Sequence, residues 1–182
     1  MDANRILFLA AENGALPNGK VGGVGDVIRD LPRALSERGL DTAVLVPAYG
    51  VFADLPGAQH VATVRVPFDG ATEPVGLFEI ETGSPVTQYV VDHPRFAPLG
   101  PGLIYCDDAA DAPFATDATK FAFLCAVAAT LLEEGSLPSP NLVHLHDWPA
   151  AFFLVLQEFD SRFARLQKLP VVFTIHNVAL QG

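Results

Sequence analysis

The sequence predicts an open, mainly parallel, Rossmann-like α/β sheet with helices on both faces and a β-hairpin or meander excursion. Three observations carry that prediction. Short, continuously apolar runs recur along the chain, as in strands buried on both faces of a parallel sheet. Segments of helical periodicity separate them, giving strand and helix in alternation. A glycine-rich turn directly follows the first apolar run and opens a helix, the start of a crossover unit. The 182 residues fall within the size of one domain, and half of them are hydrophobic against 18% charged, which is the composition of a chain with a core and not of a disordered one.

Arg5 to Ala11 (RILFLAA) forms the first buried strand. The loop from Glu12 to Gly25 holds five glycines and a proline. Val27, Ile28, Leu31, Ala34 and Leu35 then recur at helical spacing until Arg38 and Gly39 supply a cationic last turn and a glycine cap. Pro32 lies inside that pattern, so a kink or a restart is expected there. Thr42 to Pro47 is a second buried strand. Between His60 and Val91, three strand-like runs (HVATVRV, VGLFEIE, VTQYVVD) follow one another with only turn residues between them, which predicts the meander. Asp92 to Pro113 is rich in Pro, Gly and Asp, has no periodicity, and is long enough to predict a functional loop. Thr116 to Glu134 reads as a helix whose Ala-rich body is buried, Leu142 to His146 as a strand, Ala150 to Phe159 as a helix and Val171 to His176 as a last strand.

Eleven Lys and Arg against 21 Asp and Glu leave a formal charge of −10, which repels phosphate backbones and anionic lipids and excludes nucleic acid as the natural partner. The longest apolar run, Phe121 to Leu132, has twelve residues, whereas a membrane span needs roughly 20. Ile6 to Ala11 is shorter than a signal-peptide core of about 7–15 residues, and a cytoplasmic location is expected. Cys106 and Cys125 form no Cys-x-x-Cys pair and have no zinc-type histidine spacing, so two reduced thiols are expected, with no structural metal.

In doubly wound sheets ligands bind beyond the carboxyl ends of the strands. Three polar groups stand there: Lys20, Gly22, Gly23, Gly25 and Asp26 after the first strand; His146, Asp147 and Trp148 after LVHLH; His176, Asn177 and Gln181 after VVFTIH. Parallel strands deliver all three to one end of the sheet, so one crevice is predicted from segments far apart in sequence. The first group suits a diphosphate, because adjacent glycines let N–H groups approach phosphate oxygens, the helix start adds its positive end and Lys20 adds a charge. It is neither a Walker loop nor a G-x-G-x-x-G fingerprint, and a plain glycine-rich turn with a surface lysine is the simpler reading of that segment alone. Asp147 suits a helix N-cap. His144 and His146 share a strand face; with Asp147 they admit a metal reading, against the commoner hydrogen-bonded strand histidine. No G-x-S-x-G elbow supplies a hydrolase nucleophile.

Taken together, residues 20–27 (KVGGVGDV), 144–151 (HLHDWPAA) and 173–182 (FTIHNVALQG) closely resemble, in order and spacing, the N-terminal domain of bacterial glycogen synthases and plant starch synthases. The resemblance runs from Arg5 to the last residue. It implies the N-terminal half of a GT-B glycosyltransferase, which moves glucose from ADP-glucose or UDP-glucose to the non-reducing end of an α-1,4-glucan with retention and without metal or other cofactor. By that resemblance Lys20, Gly22 and Gly23 contact the donor phosphates, His176 and Asp147 serve catalysis with His176 holding the transferred glucose, and Asp26, Tyr105, Asp147, Asn177 and Gln181 line the acceptor side. No carboxylate is an evident covalent nucleophile, so front-face transfer assisted by the leaving phosphate is implied.

Three positions depart from the family's pattern: Val21 stands where Thr is usual, Val24 where Leu is usual and Leu180 where Tyr is usual. The first removes a hydroxyl from the phosphate loop, the last an aromatic surface near the sugar subsites. The chain also stops six residues after His176. Residues 1–182 are therefore expected to be a single, incomplete N-terminal Rossmann-like domain, lacking the C-terminal nucleotide-binding domain, inactive alone and prone to self-association through an uncovered sheet edge. The alternatives are a non-catalytic glucan-binding or sugar-phosphate-binding regulatory module, and a related glycosyltransferase with another acceptor.

Overall fold

The computed structural model describes residues 4–178. Seven strands form one sheet: β1 (Arg5–Leu9), β2 (Asp41–Pro47), β3 (Ala58–Phe68), β4 (Ala71–Ile80), β5 (Thr87–Asp92), β6 (Leu142–His146) and β7 (Val171–Thr174), in the order β3-β4-β5-β2-β1-β6-β7. The pairs β5–β2, β2–β1, β1–β6 and β6–β7 are parallel, while β3–β4 and β4–β5 are antiparallel. The three runs between His60 and Val91 thus form the expected meander, and its last strand also belongs to the parallel sheet.

The continuously apolar runs fill the centre. Phe8, Leu9, Val44, Leu45, Val90, Val143 and Leu145 have no exposed surface, as two-sided burial requires. Three helices cover the sheet: α1 (Gly23–Ser36), α2 (Ala115–Glu134) and α3 (Trp148–Phe159). The crossover from β1 to β2 runs toward one edge, those from β5 to β6 and from β6 to β7 toward the other. Right-handed crossovers then place α1 on one face and α2 with α3 on the opposite face. By length and hydropathy α2 could span a bilayer, yet 72% of that window is buried in the fold.

Two helix ends follow the glycine rule. Gly39 (φ +87°) and Gly135 (φ +74°) turn the chain left-handed, and the next amides, Leu40 and Ser136, reach back to the carbonyls of Leu35 and Leu131. Pro32 departs from expectation. α1 runs unbroken through it, because Pro32 is buried and its carbonyl accepts the Thr42 hydroxyl of β2 at 3.1 Å, so packing on the sheet holds the turn. α1 also starts four residues before its apolar periodicity, inside the glycine loop. β1 and β7 each end two residues earlier than their apolar runs; Ala10 and Ala11 remain buried, whereas Ile175 is exposed.

Candidate functional site

The strand order reverses direction between β1 and β6, and at such a switch point the loops leaving the two strands part and open a crevice. A cleft of about 660 Å³ lies there, lined by Gly22 and Gly23, by Tyr105, and by Asp147, His176 and Asn177. Some members of each predicted group line it: Gly22 and Gly23 of the first, Asp147 and Trp148 of the second, His176 and Asn177 of the third.

Glu12 organises the first wall. Its carboxylate is almost fully buried; Oε2 accepts the Val21 and Gly22 amides at 2.7 and 2.8 Å, and Oε1 accepts the Tyr105 hydroxyl at 3.1 Å. Gly22, at the N-cap position, has no side chain to cap α1, so this distant carboxylate supplies the anion that a helix start favours. Gly25 lets the turn close: a Cβ there would sit 2.3 Å from the Cβ of Lys20. Burial, with Glu12 beside it, pushes the Tyr105 hydroxyl well above its ordinary range, so it stays a donor.

Asp147 forms the corner between β6 and α3 at φ +57°, ψ −178°, a backbone conformation that costs a non-glycine residue on the order of 1–3 kcal/mol. Its side chain does not cap α3. Instead Oδ1 accepts the His176 amide at 2.7 Å and the Asn177 amide at 3.3 Å, tying the segment after β7 to the corner after β6. The ring of His176 meets that of His146, with Nε2 and Nδ1 2.9 Å apart. His146 is buried among Phe8, His144 and His176, and that desolvation drives its pKa down to about 3, so the ring is neutral. His144 bonds the Thr174 hydroxyl at 2.7 Å, the satisfied strand histidine of the simpler reading. Among the described residues, no three His, Cys, Asp or Glu side chains are placed to share a metal ion.

The third wall comes from the loop after β5 and the start of α2. Asp117 and Lys120 form a buried ion pair at 2.6 Å; Asp117 also accepts the Cys106 amide at 3.1 Å, and Lys120 donates to the Ile104 carbonyl at 2.6 Å. This pair clamps residues 104–106 so that Tyr105 and Cys106 face the cleft. Burial raises the Cys106 thiol above its ordinary pKa despite the Lys120 ammonium nearby. Phe114 and Phe121 stand edge-on to Trp148.

Lys20 and Asp26 do not line the cleft. They pair with each other, Nζ lying 2.8 Å from both carboxylate oxygens, and Asp26 also meets Arg29 at 3.0 Å. The Lys20 ammonium holds the Asp26 carboxyl below the usual carboxylate range. Gln181, expected on the acceptor side, and Leu180 lie outside the described residues. Glu12, Asp117 and Lys120 escaped the sequence reading.

With this geometry in place, comparison with known proteins gives a match to the starch synthase catalytic domain family over residues 5–182. The chain belongs to that family. Among curated relatives, glycogen synthase from Anaeromyxobacter dehalogenans (strain 2CP-C) is 38% identical over 180 residues, covering 98% of this chain and 36% of the relative. Glycogen synthase from Granulibacter bethesdensis is 37% identical over 183 residues, with 98% and 35% covered. The chain therefore spans just over a third of the length of these family members. Among solved structures, the catalytic domain of starch synthase IV from Arabidopsis thaliana, bound to ADP and acarbose, superposes with a TM-score of 0.76 at 25% identity, over 97% of this chain and 34% of that one. The mixed seven-stranded sheet is thus that of a GT-B starch synthase catalytic domain.

Proposed function

We propose that the cleft is one wall of a glucosyl-transfer site, which passes glucose from ADP-glucose or UDP-glucose to an α-1,4-glucan with retention, in concert with a second, nucleotide-binding domain. One observation carries the reading: the helix-start glycines, the Asp147 corner and His176 share a single crevice at the switch point. Family membership and the ADP and acarbose in the Arabidopsis relative support it.

Glu12 already takes the Gly22 amide, so Gly23 and the rest of the first α1 turn offer the orphan N–H groups to the donor diphosphate. Lys20 joins them by exchanging the single carboxylate of Asp26 for the more highly charged diphosphate, which places its cation on the leaving group. Asp26 is thereby released toward the acceptor side, as the resemblance implies. His176, held through its backbone by Asp147, hydrogen-bonds the transferred glucose, and Tyr105 and Asn177 border the acceptor. Asp147 commits one oxygen to backbone amides and so acts by placing His176, not as a covalent nucleophile.

The chain is incubated with labelled ADP-glucose and glycogen, alone and fused to the remaining two thirds of the Anaeromyxobacter glycogen synthase. No label transfer by the chain alone, and transfer by the fusion that His176→Ala abolishes, is the expected outcome. A folded but inactive fusion overturns the reading. The Lys20–Asp26 pair and the missing hydroxyl at Val21 favour the non-catalytic module, which glucan binding by that fusion without turnover selects.

A further inference from the structure

We propose that His146 is a positioning residue that fixes the tautomer of His176, so that the Nδ1–H of His176 is the hydrogen-bond donor offered to a ligand in the cleft. The His146 Nδ1 and the His176 Nε2 lie 2.9 Å apart, so one of the two carries the shared proton. The other nitrogen of His146, Nε2, is buried and has no partner among the described residues. A proton on that nitrogen would be a buried N–H with nothing to receive it, the arrangement folded chains avoid most strongly, whereas a bare ring nitrogen leaves only an unused lone pair. The proton of His146 therefore sits on Nδ1 and is donated to His176. His176 accepts at Nε2, so its own proton is on Nδ1, the one ring nitrogen left for a ligand.

The His146 ring is locked in this orientation. Phe8 stacks on it at 5.8 Å between centroids, His144 leans against it at 4.2 Å with a tilt of 34°, and His176 meets its nitrogen edge at 5.2 Å. A flip would turn carbon toward His176 and forfeit the bond. His144 is itself engaged with Thr174. His176 is thus set from two sides, its amide by Asp147 and its ring by His146. The His146–His176 contact therefore presents the Nδ1–H of His176 as a donor to the cleft.

The purpose of this arrangement rests on the sugar-transfer reading, but the tautomers do not. Long-range nitrogen-proton spectra of the ¹⁵N-histidine-labelled chain, recorded without substrate at pH 8, show both histidines protonated at Nδ1. A wild-type His176 protonated at Nε2 overturns the proposal without touching the transfer reading, and a failed transfer assay leaves the spectrum standing. His146→Phe, which keeps an aromatic ring but no donor, loses the His176 Nδ1–H signal in favour of the Nε2–H form that free histidine prefers. His146→Asn, whose amide reproduces the Nδ1 position, retains it. An unchanged His176 tautomer in His146→Phe also overturns the proposal; should that variant not fold, the wild-type spectrum decides by itself.

Discussion

Replacing Gly25 with alanine tests how tightly the cleft's glycine turn is closed. Gly25 is the third residue of α1 and does not sit at positive φ, so alanine suits its backbone, and in an ordinary helix the change would stabilise by about 1 kcal/mol. Here the sign reverses. The new methyl would lie 2.3 Å from the Cβ of Lys20 and 3.2 Å from both the Lys20 Cα and the Glu12 carboxylate. Those Lys20 atoms are fixed to the backbone and cannot rotate away, so the turn from Lys20 to Gly22 must move, at an overpacking cost of about 1–3 kcal/mol. The net is a loss of up to roughly 2 kcal/mol, or about 4–8 °C in Tm for a chain of this size. Gly23→Ala is the control, since a Cβ there meets nothing within 4 Å and alanine should be neutral or stabilising. Urea denaturation followed by circular dichroism ranks wild type and both variants. Amide exchange at Val21 and Gly22 reports whether their bonds to Glu12 loosen. Gly25→Ala as stable as Gly23→Ala, with those amides still protected, refutes the reasoning.

Three further outcomes are expected. Lys120→Met strands the buried Asp117 carboxylate and costs about 3–5 kcal/mol, while the double variant with Asp117→Asn, which keeps an acceptor for the Cys106 amide, recovers most of it; equal single and double losses in urea titrations would remove the ion pair from the account. Folded His146 titrates near pH 3 against 6.5 in the unfolded chain, so its contribution is complete above pH 6.5 and falls away as pH drops toward 3, by about 2 kcal/mol at pH 5. His146→Phe should flatten that slope, and a slope unchanged by the substitution contradicts it. Finally, β7 is an edge strand of the described sheet that carries exposed Phe173 and is followed by exposed Ile175, and self-association through a second copy is proposed. Light scattering should show mass rising with concentration and falling in Ile175→Lys; monomer alone at high concentration counts against it.

The features that topology alone determines could be read from the sequence. Apolar runs name the strands, their parallel direction brings the carboxyl ends together, and so the glycine turn, the Asp147 corner and His176 are expected on one rim. The stretch from Asp92 to Pro113 stands out as a functional loop by its length and lack of periodicity, and it delivers Tyr105 to the cleft. What escaped depends on how far individual side chains reach. Glu12 reads only as the first residue of the glycine-rich loop, because nothing local shows that the chain will return its Val21 and Gly22 amides to that carboxylate nine and ten residues later. Asp117 and Lys120 stand three apart at the start of a helix, a spacing that on an exposed helix makes no more than an ordinary surface pair. Their burial follows from the Ile104 and Cys106 backbone folding over them.

The start of α1 was misplaced for a related physical reason. Helix starts are recognised by a Ser, Thr, Asp or Asn at the cap, and Gly22 provides none. The capping anion comes instead from Glu12 across the turn, and it leaves the first-turn glycines bare. A local side-chain cap would stand in the way of the proposed donor phosphate. Taking the carboxylate from the far side of the turn stabilises the helix while keeping Gly23 open to the cleft, so the feature that concealed the helix start from sequence reading is the one that keeps the start available to a ligand.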